Sequence, residues 1–185
     1  MAKREDAKPG DILLYKANGA VGSMIRWSQW DAGRGNYEYC HIAQVFDEGQ
    51  AVEMNPPKSR KFGLDQVPWN EVDIFRFNIN GGNPYSVPQI LAAMQAHATK
   101  RLGMRYDYLF IVKSLGVGLL ARIGFSKWAQ GWARAKDGDK NRDVCSQWLQ
   151  ENNEAALAPL DIFPETKDVN LRPSEWPLSP YLVKL

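Results

Sequence analysis

The chain is poor in the residues that build cross-links and metal sites, with two cysteines and two histidines among 185 residues. Two cysteines cannot make a disulfide framework, and no Cys or His spacing here resembles a zinc site. A single Cys40–Cys145 bridge stays open on paper, and reduced thiols are the simpler reading. Neither a metal nor a cofactor is expected. Charge of one sign is also missing. The 23 basic and 21 acidic residues nearly cancel, and no concentrated basic face announces a nucleic-acid partner. A long uncharged apolar run is absent too. YDYLFIVKSLGVGLLARIGF (106–125) carries Lys113 and Arg122 inside it. A spanning helix needs about 20 largely uncharged residues, so the stretch reads as a buried helix pair or hairpin and no integral membrane segment is expected.

The N-terminus, MAKREDAKPGD, is charged and lacks the apolar run of a signal peptide. Cytoplasmic synthesis is expected, with any export by another route. Nothing repeats, no low-complexity linker divides the chain, and 44% apolar content suits one core. The expectation is a single domain, 1–185.

What the chain does have is an ordered set of strand and helix signals. Lys8-Pro9-Gly10-Asp11 reads as a turn leading into the strand-like Ile12-Leu13-Leu14-Tyr15. SMIRWSQW (23–30) reads as a short helix. Glu38–Phe46, the turn Asp47-Glu48-Gly49 and Gln50–Met54 read as a hairpin, and VDIFRFN (72–78) as a further strand. Ser86 is a credible N-cap for an amphipathic helix over Val87–Leu102, stopped by Gly103. Residues 106–136 read as helical, and VCSQWLQENNEAAL (144–157) as a second clear helix ending before Pro159. The proline-rich tail, 159–185, reads as an extended wrap over the surface. Together these predict an α+β fold, a small antiparallel sheet packed against helices.

Cys40 sits beside His41, which invites the reading of a nucleophile and its base. Strand alternation argues against it: Tyr39, His41, Ala43 and Val45 share one face, and Cys40, Ile42, Gln44 and Phe46 the other. Cys145 is better placed, at the start of a helix whose partial positive charge stabilises a thiolate. Its face, with Trp148, Leu149, Asn152 and Ala156, is expected to pack inward. A thiol on the first turn of a buried helix, opposite a histidine-bearing strand, is the arrangement of papain-like enzymes. A buried cysteine of no chemical role is commoner, and the residue pattern alone leaves both open.

The hairpin offers a third group. A three-residue turn, type I closed by a left-handed Gly49, pairs Phe46 with Gln50, Ala43 with Glu53 and His41 with Asn55. Glu53 then lies one diagonal step from His41 on the same face, and Asn55 lies opposite it. Either could fix the imidazole tautomer. A four-residue turn would put Glu53 on the other face.

In order, PGDILLY, CHIAQVFDEGQAVEM, GMRYDYLF, VCSQWLQ and LRPSEWPLSPYL resemble the permuted branch of the NlpC-type cysteine peptidases, the YiiX-like proteins related to lecithin retinol acyltransferase. The resemblance runs from Pro9 to about Tyr181. It implies a circularly permuted papain-like fold, with Cys145 as nucleophile, His41 as base and Glu53 orienting the histidine. Two positions depart from the pattern: Cys40 stands where serine is usual before the histidine, and Ser146-Gln147-Trp148-Leu149 follow the cysteine. Neither removes a catalytic group, though the bulk of Trp148 would reshape a pocket. Tyr15 and Tyr106-Asp107 fall where the branch has pocket or structural residues, with core packing the plainer role. His97 is expected to be a packed or surface histidine. Trp128 and Trp132, with Lys127, Arg134 and Lys136, are expected to cover the core.

By resemblance the substrate is a peptide of the bacterial cell wall, cut at an amide bond. A virion, a holin or a secretion partner would deliver such an enzyme, in keeping with a bacteriophage role. Two rivals use the same residues: acyl transfer or thioester chemistry on lipids, and a non-catalytic phage-tail or binding module.

Overall fold

The computed structural model describes residues 2–16, 23, 38–78, 86–108, 142–143, 145–157 and 173–185. Of the expected helices at 23–30 and 106–136, all but residues 23 and 106–108 lie outside them, Trp128 and Trp132 included. Strands β1 (Ile12–Lys16), β2 (Tyr39–Val45), β3 (Gln50–Asn55), β4 (Lys58–Gly63), β5 (Val72–Phe77), β6 (Arg105–Tyr106), β7 (Arg142–Asp143) and β8 (Leu182–Lys184) form one sheet. Their order is β7-β6-β4-β3-β2-β1-β5-β8. Every pair is antiparallel except β6 and β7, which run parallel. Two α-helices are described, α1 (Val87–Lys100) and α2 (Cys145–Leu157). They pack on each other, and α2 lies against β2 and β3.

The PGD turn starts β1. Gly10 takes φ +93°, a conformation that favours glycine, and its N–H bonds the Val45 carbonyl at 2.8 Å. Asp11 is buried at 2% exposure, and such a charge needs a partner. Arg76 on β5 supplies one, with Nε to Oδ1 at 2.8 Å and Nη2 to Oδ2 at 2.7 Å. The turn thus ties β1, β2 and β5 together at one end. At the other end Asp73 accepts from the Tyr39 hydroxyl at 2.6 Å and from Lys184 at 2.7 Å.

The β2–β3 hairpin has the expected register, Ala43 opposite Glu53 and Phe46 N–H on the Gln50 carbonyl. The turn is built differently. Gly49 is not left-handed; the positive-φ glycines among the described residues are Gly10 and Gly103. Instead Asp47 Oδ1 accepts the Gly49 and Gln50 N–H groups at 2.9 and 2.8 Å. That Asx turn closes the loop without a positive φ.

The sheet separates two apolar clusters. On the helix side Ile12, Leu14, Ile42, Val52 and Met54 meet Trp148, Leu149, Leu157 and Met94. On the other side Leu13, Ala43, Val45 and Ala51 pack with Phe62, Leu64, Val72 and Ile74. Alternate positions of β1, β2 and β3 feed the two clusters, as a strand pleat requires. Cys145, Trp148, Leu149, Asn152 and Ala156 are all buried, as the helix pattern predicts. Trp148 is wholly enclosed, with the Arg101 guanidinium 5.9 Å from its ring, so its bulk fills the core.

Two expectations are corrected. The tail does not simply wrap the surface: Pro173–Leu178 forms a 3-10 helix that buries Trp176, and β8 adds a strand beside β5. Its isolated apolar residues are anchors for a sheet edge. Tyr106, taken as the start of a helical section, lies in β6, where its N–H bonds the Pro57 carbonyl at 2.9 Å.

A polar clasp sets α2 on the sheet. Gln44 Nε2 donates to Asn153 Oδ1 at 2.9 Å and to the Gly10 carbonyl at 3.2 Å, and both side chains are buried. Gln44→Leu is expected to cost about 2 kcal/mol, because a buried acceptor is left without its donor. Urea unfolding of the variant checks this, and an unchanged midpoint would refute the clasp.

Candidate active site

Cys145 is the first residue of α2, 7% exposed, and Cys40 is an intermediate residue on β2; neither is bridged. Cys40 falls at an irregularity in the ladder. Tyr15 pairs with His41 and Lys16 with Tyr39, so Cys40 is the extra residue of a bulge. Its thiol lies 3.7 Å from the Lys16 carbonyl.

The bulge also corrects the face argument. Tyr39 joins Ile42 in the helix-side core, so alternation does not run unbroken through residue 40. His41 is in phase with Ala43, whose cluster lies on the side away from α2. A flat strand would not aim it at the helix. The β2–β3 ladder stops at Ala43–Glu53, so the His41 backbone is not paired with the expected Asn55. There the imidazole, 20% exposed, bonds Glu53, and Cys145 is near enough to act on its charge.

His41 Nε2 lies 2.8 Å from Glu53 Oε2. Glu53, on β3, is 3% exposed. Burial alone would push its carboxyl up; bonds from His41, Arg60 and Asn55 outweigh this and hold it at about 2. An ionised carboxylate only accepts, so Nε2 carries the proton and the other ring nitrogen serves Cys145. Burial alone would push the imidazole down; the hydrogen bond and charge of Cys145, then those of Glu53, lift it to about 10. At neutral pH the site therefore favours imidazolium beside the ionised Glu53.

Asn55 does not orient His41. Its Nδ2 donates to Glu53 Oε1 at 3.1 Å, so it acts on the carboxylate. Tyr15 packs its ring against the imidazole, centroids 5.3 Å apart and tilted by 57°. Burial and the Glu53 charge push its phenol well up, so it stays protonated. Tyr106 is buried, and its partner in β7 is Asp143, just before α2. Burial and the charge of Cys145 push that phenol up as well. Both tyrosines wall the site as neutral groups. His97 stands apart, with Nδ1 2.9 Å from Asn152 Oδ1 between α1 and α2.

One contributor was not foreseen. Arg60 on β4 donates through Nε to Glu53 Oε1 at 2.8 Å, and its Nη2 lies 2.8 Å from the same oxygen. KSRKFG carries no clean apolar alternation, so no strand was read there. The register of a third strand was the only signal that could have found it.

With the site in view, comparison with known proteins adds the fold. No family model matches the chain, and no curated protein matches it by sequence. The fold is similar to that of yiiX. The crystal structure of the metalloprotein yiiX from Escherichia coli O157:H7 aligns with a TM-score of 0.60, covering 97% of this chain and 96% of that one. At 14% identity the likeness is one of fold. Among the described residues no helix is long and apolar enough to cross a membrane.

Proposed function

We propose that the chain is a cysteine hydrolase of papain-like, circularly permuted architecture that cleaves amide bonds. One observation carries the reading: His41 bonds the Glu53 carboxylate and interacts with Cys145, the first residue of a helix. The motif order supplies the substrate class, a cell-wall peptide.

The chemistry follows from these positions. His41 holds the proton taken from Cys145, and the thiolate attacks the scissile carbonyl carbon. The N–H groups opening α2 face the developing oxyanion. His41 returns its proton to the departing amine, leaving a thioester on Cys145. Water, deprotonated by His41, then hydrolyses the thioester and frees the acid and the thiol.

YiiX is described as a metalloprotein. Among the described residues no group of three or more His, Cys, Asp or Glu side chains is arranged to hold a metal ion. Both Glu53 oxygens already have partners, so the described residues of the site do not fit a metal and no step runs through one.

The test needs no knowledge of the natural substrate. Iodoacetamide at pH 7 is expected to label Cys145 much faster than Cys40, as resolved by peptide mass spectrometry. Equal, slow labelling of both would sink the dyad. Release of soluble peptide from purified peptidoglycan then tests the substrate class, with turnover of a lipid thioester instead marking the acyl-transfer alternative.

A further inference from the structure

We propose that Arg60 is a positioning residue for the Cys145–His41 pair, acting by saturating one oxygen of Glu53 so that the other is left to the imidazole. This rests on the reading above. Arg60 and Glu53 are direct cross-strand partners on β4 and β3, where opposite charges attract. Nε donates to Oε1, Nη2 lies equally close to it, and Asn55 adds a third donor. Oε2 meets His41. The arrangement is one-sided: every donor from β3 and β4 goes to Oε1. A carboxylate so held cannot rotate its free oxygen away from Nε2 without breaking several bonds. The guanidinium is itself steadied over the Phe62 ring, 5.7 Å from its centroid.

A purely structural arginine would look different. The Arg60 side chain is 52% exposed, and ion pairs in water add little to stability. Its effect should therefore appear in the site more than in the fold. The charged and titratable groups around Glu53 are His41 from β2, Arg60 from β4, Tyr15 from β1 and, through His41, Cys145 from α2.

Arg60→Met and Arg60→Lys in the full chain separate the roles. Arg60→Met is expected to slow Cys145 alkylation at pH 7 about tenfold, the scale of one charge-assisted hydrogen bond, with the melting temperature nearly unchanged. Arg60→Lys returns a cation to Oε1 and should recover most of the rate. In nitrogen-15 spectra of the histidine rings, the protonated Nε2 signal of His41 should be sharp in the wild type and in Arg60→Lys, and lost or averaged in Arg60→Met. Fast wild-type labelling with an unchanged pH-rate profile in Arg60→Met would overturn the positioning role and leave the hydrolase reading intact. Slow labelling of wild-type Cys145 would instead overturn the dyad. The ring spectra would still decide whether Arg60 holds the imidazole, an unchanged spectrum in Arg60→Met refuting it.

Discussion

Replacing Cys145 by alanine is expected to abolish amide hydrolysis, a loss of at least about 10³-fold, while Cys40→Ser leaves the rate unchanged. The two thiols differ in every respect that matters to a nucleophile. Cys145 opens a helix and acts on the imidazole that would carry its proton. Cys40 is the extra residue of a bulge, and its sulfur meets a backbone carbonyl. Cys145→Ala removes one sulfur from a buried first turn, and the small cavity should cost about 1 kcal/mol. The variant should therefore fold, and circular dichroism with thermal melts would verify it. His41→Ala is expected to match it in activity, because residues acting as one unit are not additive and the double variant should lose little more. Assay of peptide release from peptidoglycan by all four proteins decides the matter. Activity lost in Cys40→Ser and kept in Cys145→Ala would reverse the assignment.

The parts of this site that were readable from the sequence are the local ones. A three-residue turn sets the pairing of Ala43 with Glu53 whatever holds the turn closed, so replacing a left-handed glycine by the Asp47 side chain left the register intact. The 3.6-residue period of VCSQWLQENNEAAL likewise identified the buried face of α2, since every residue placed on that face is enclosed. What failed were inferences that needed a break in regularity or a distant partner. Strand alternation put Tyr39 on the face of His41 and Ala43, but a bulge at Cys40 breaks that alternation. A bulge leaves no mark in a strand whose residues all have strand propensity. Arg60 was hidden because β4 exposes one edge of the site to water. Its positions 58 to 62 run exposed, buried, exposed, intermediate, buried, and lysine and arginine mask the alternation. The Gln44–Asn153 clasp joins side chains remote in sequence, and no local rule predicts such a pair.

Glu53→Gln should disable the enzyme while keeping its shape, by about 10²- to 10⁴-fold. The reason lies in the donors around the carboxylate. Arg60 and Asn55 both offer N–H groups to Oε1, so a glutamine must turn its carbonyl oxygen toward them. Its amide NH₂ then faces His41 Nε2, and two donors cannot share a hydrogen bond. The imidazole would have to move its proton to the nitrogen that serves Cys145, where it can no longer accept one. The same substitution should change how stability depends on pH. Glu53 sits at about 2 against an ordinary 4.5, so its contribution is present above about 4.5 and is lost as pH falls toward 2. His41 is raised to about 10 from 6.5, so its contribution is complete below about 6.5 and is lost as pH rises toward 10. From this pair, wild-type stability is expected to be greatest between those two ordinary values and to fall on both sides. In Glu53→Gln the acid decline loses its Glu53 component, and the alkaline decline shrinks because the imidazolium has lost an anionic partner. Melting temperatures of the two proteins from pH 3 to pH 10 measure this, and parallel curves would show that Glu53 and His41 are not coupled in solution.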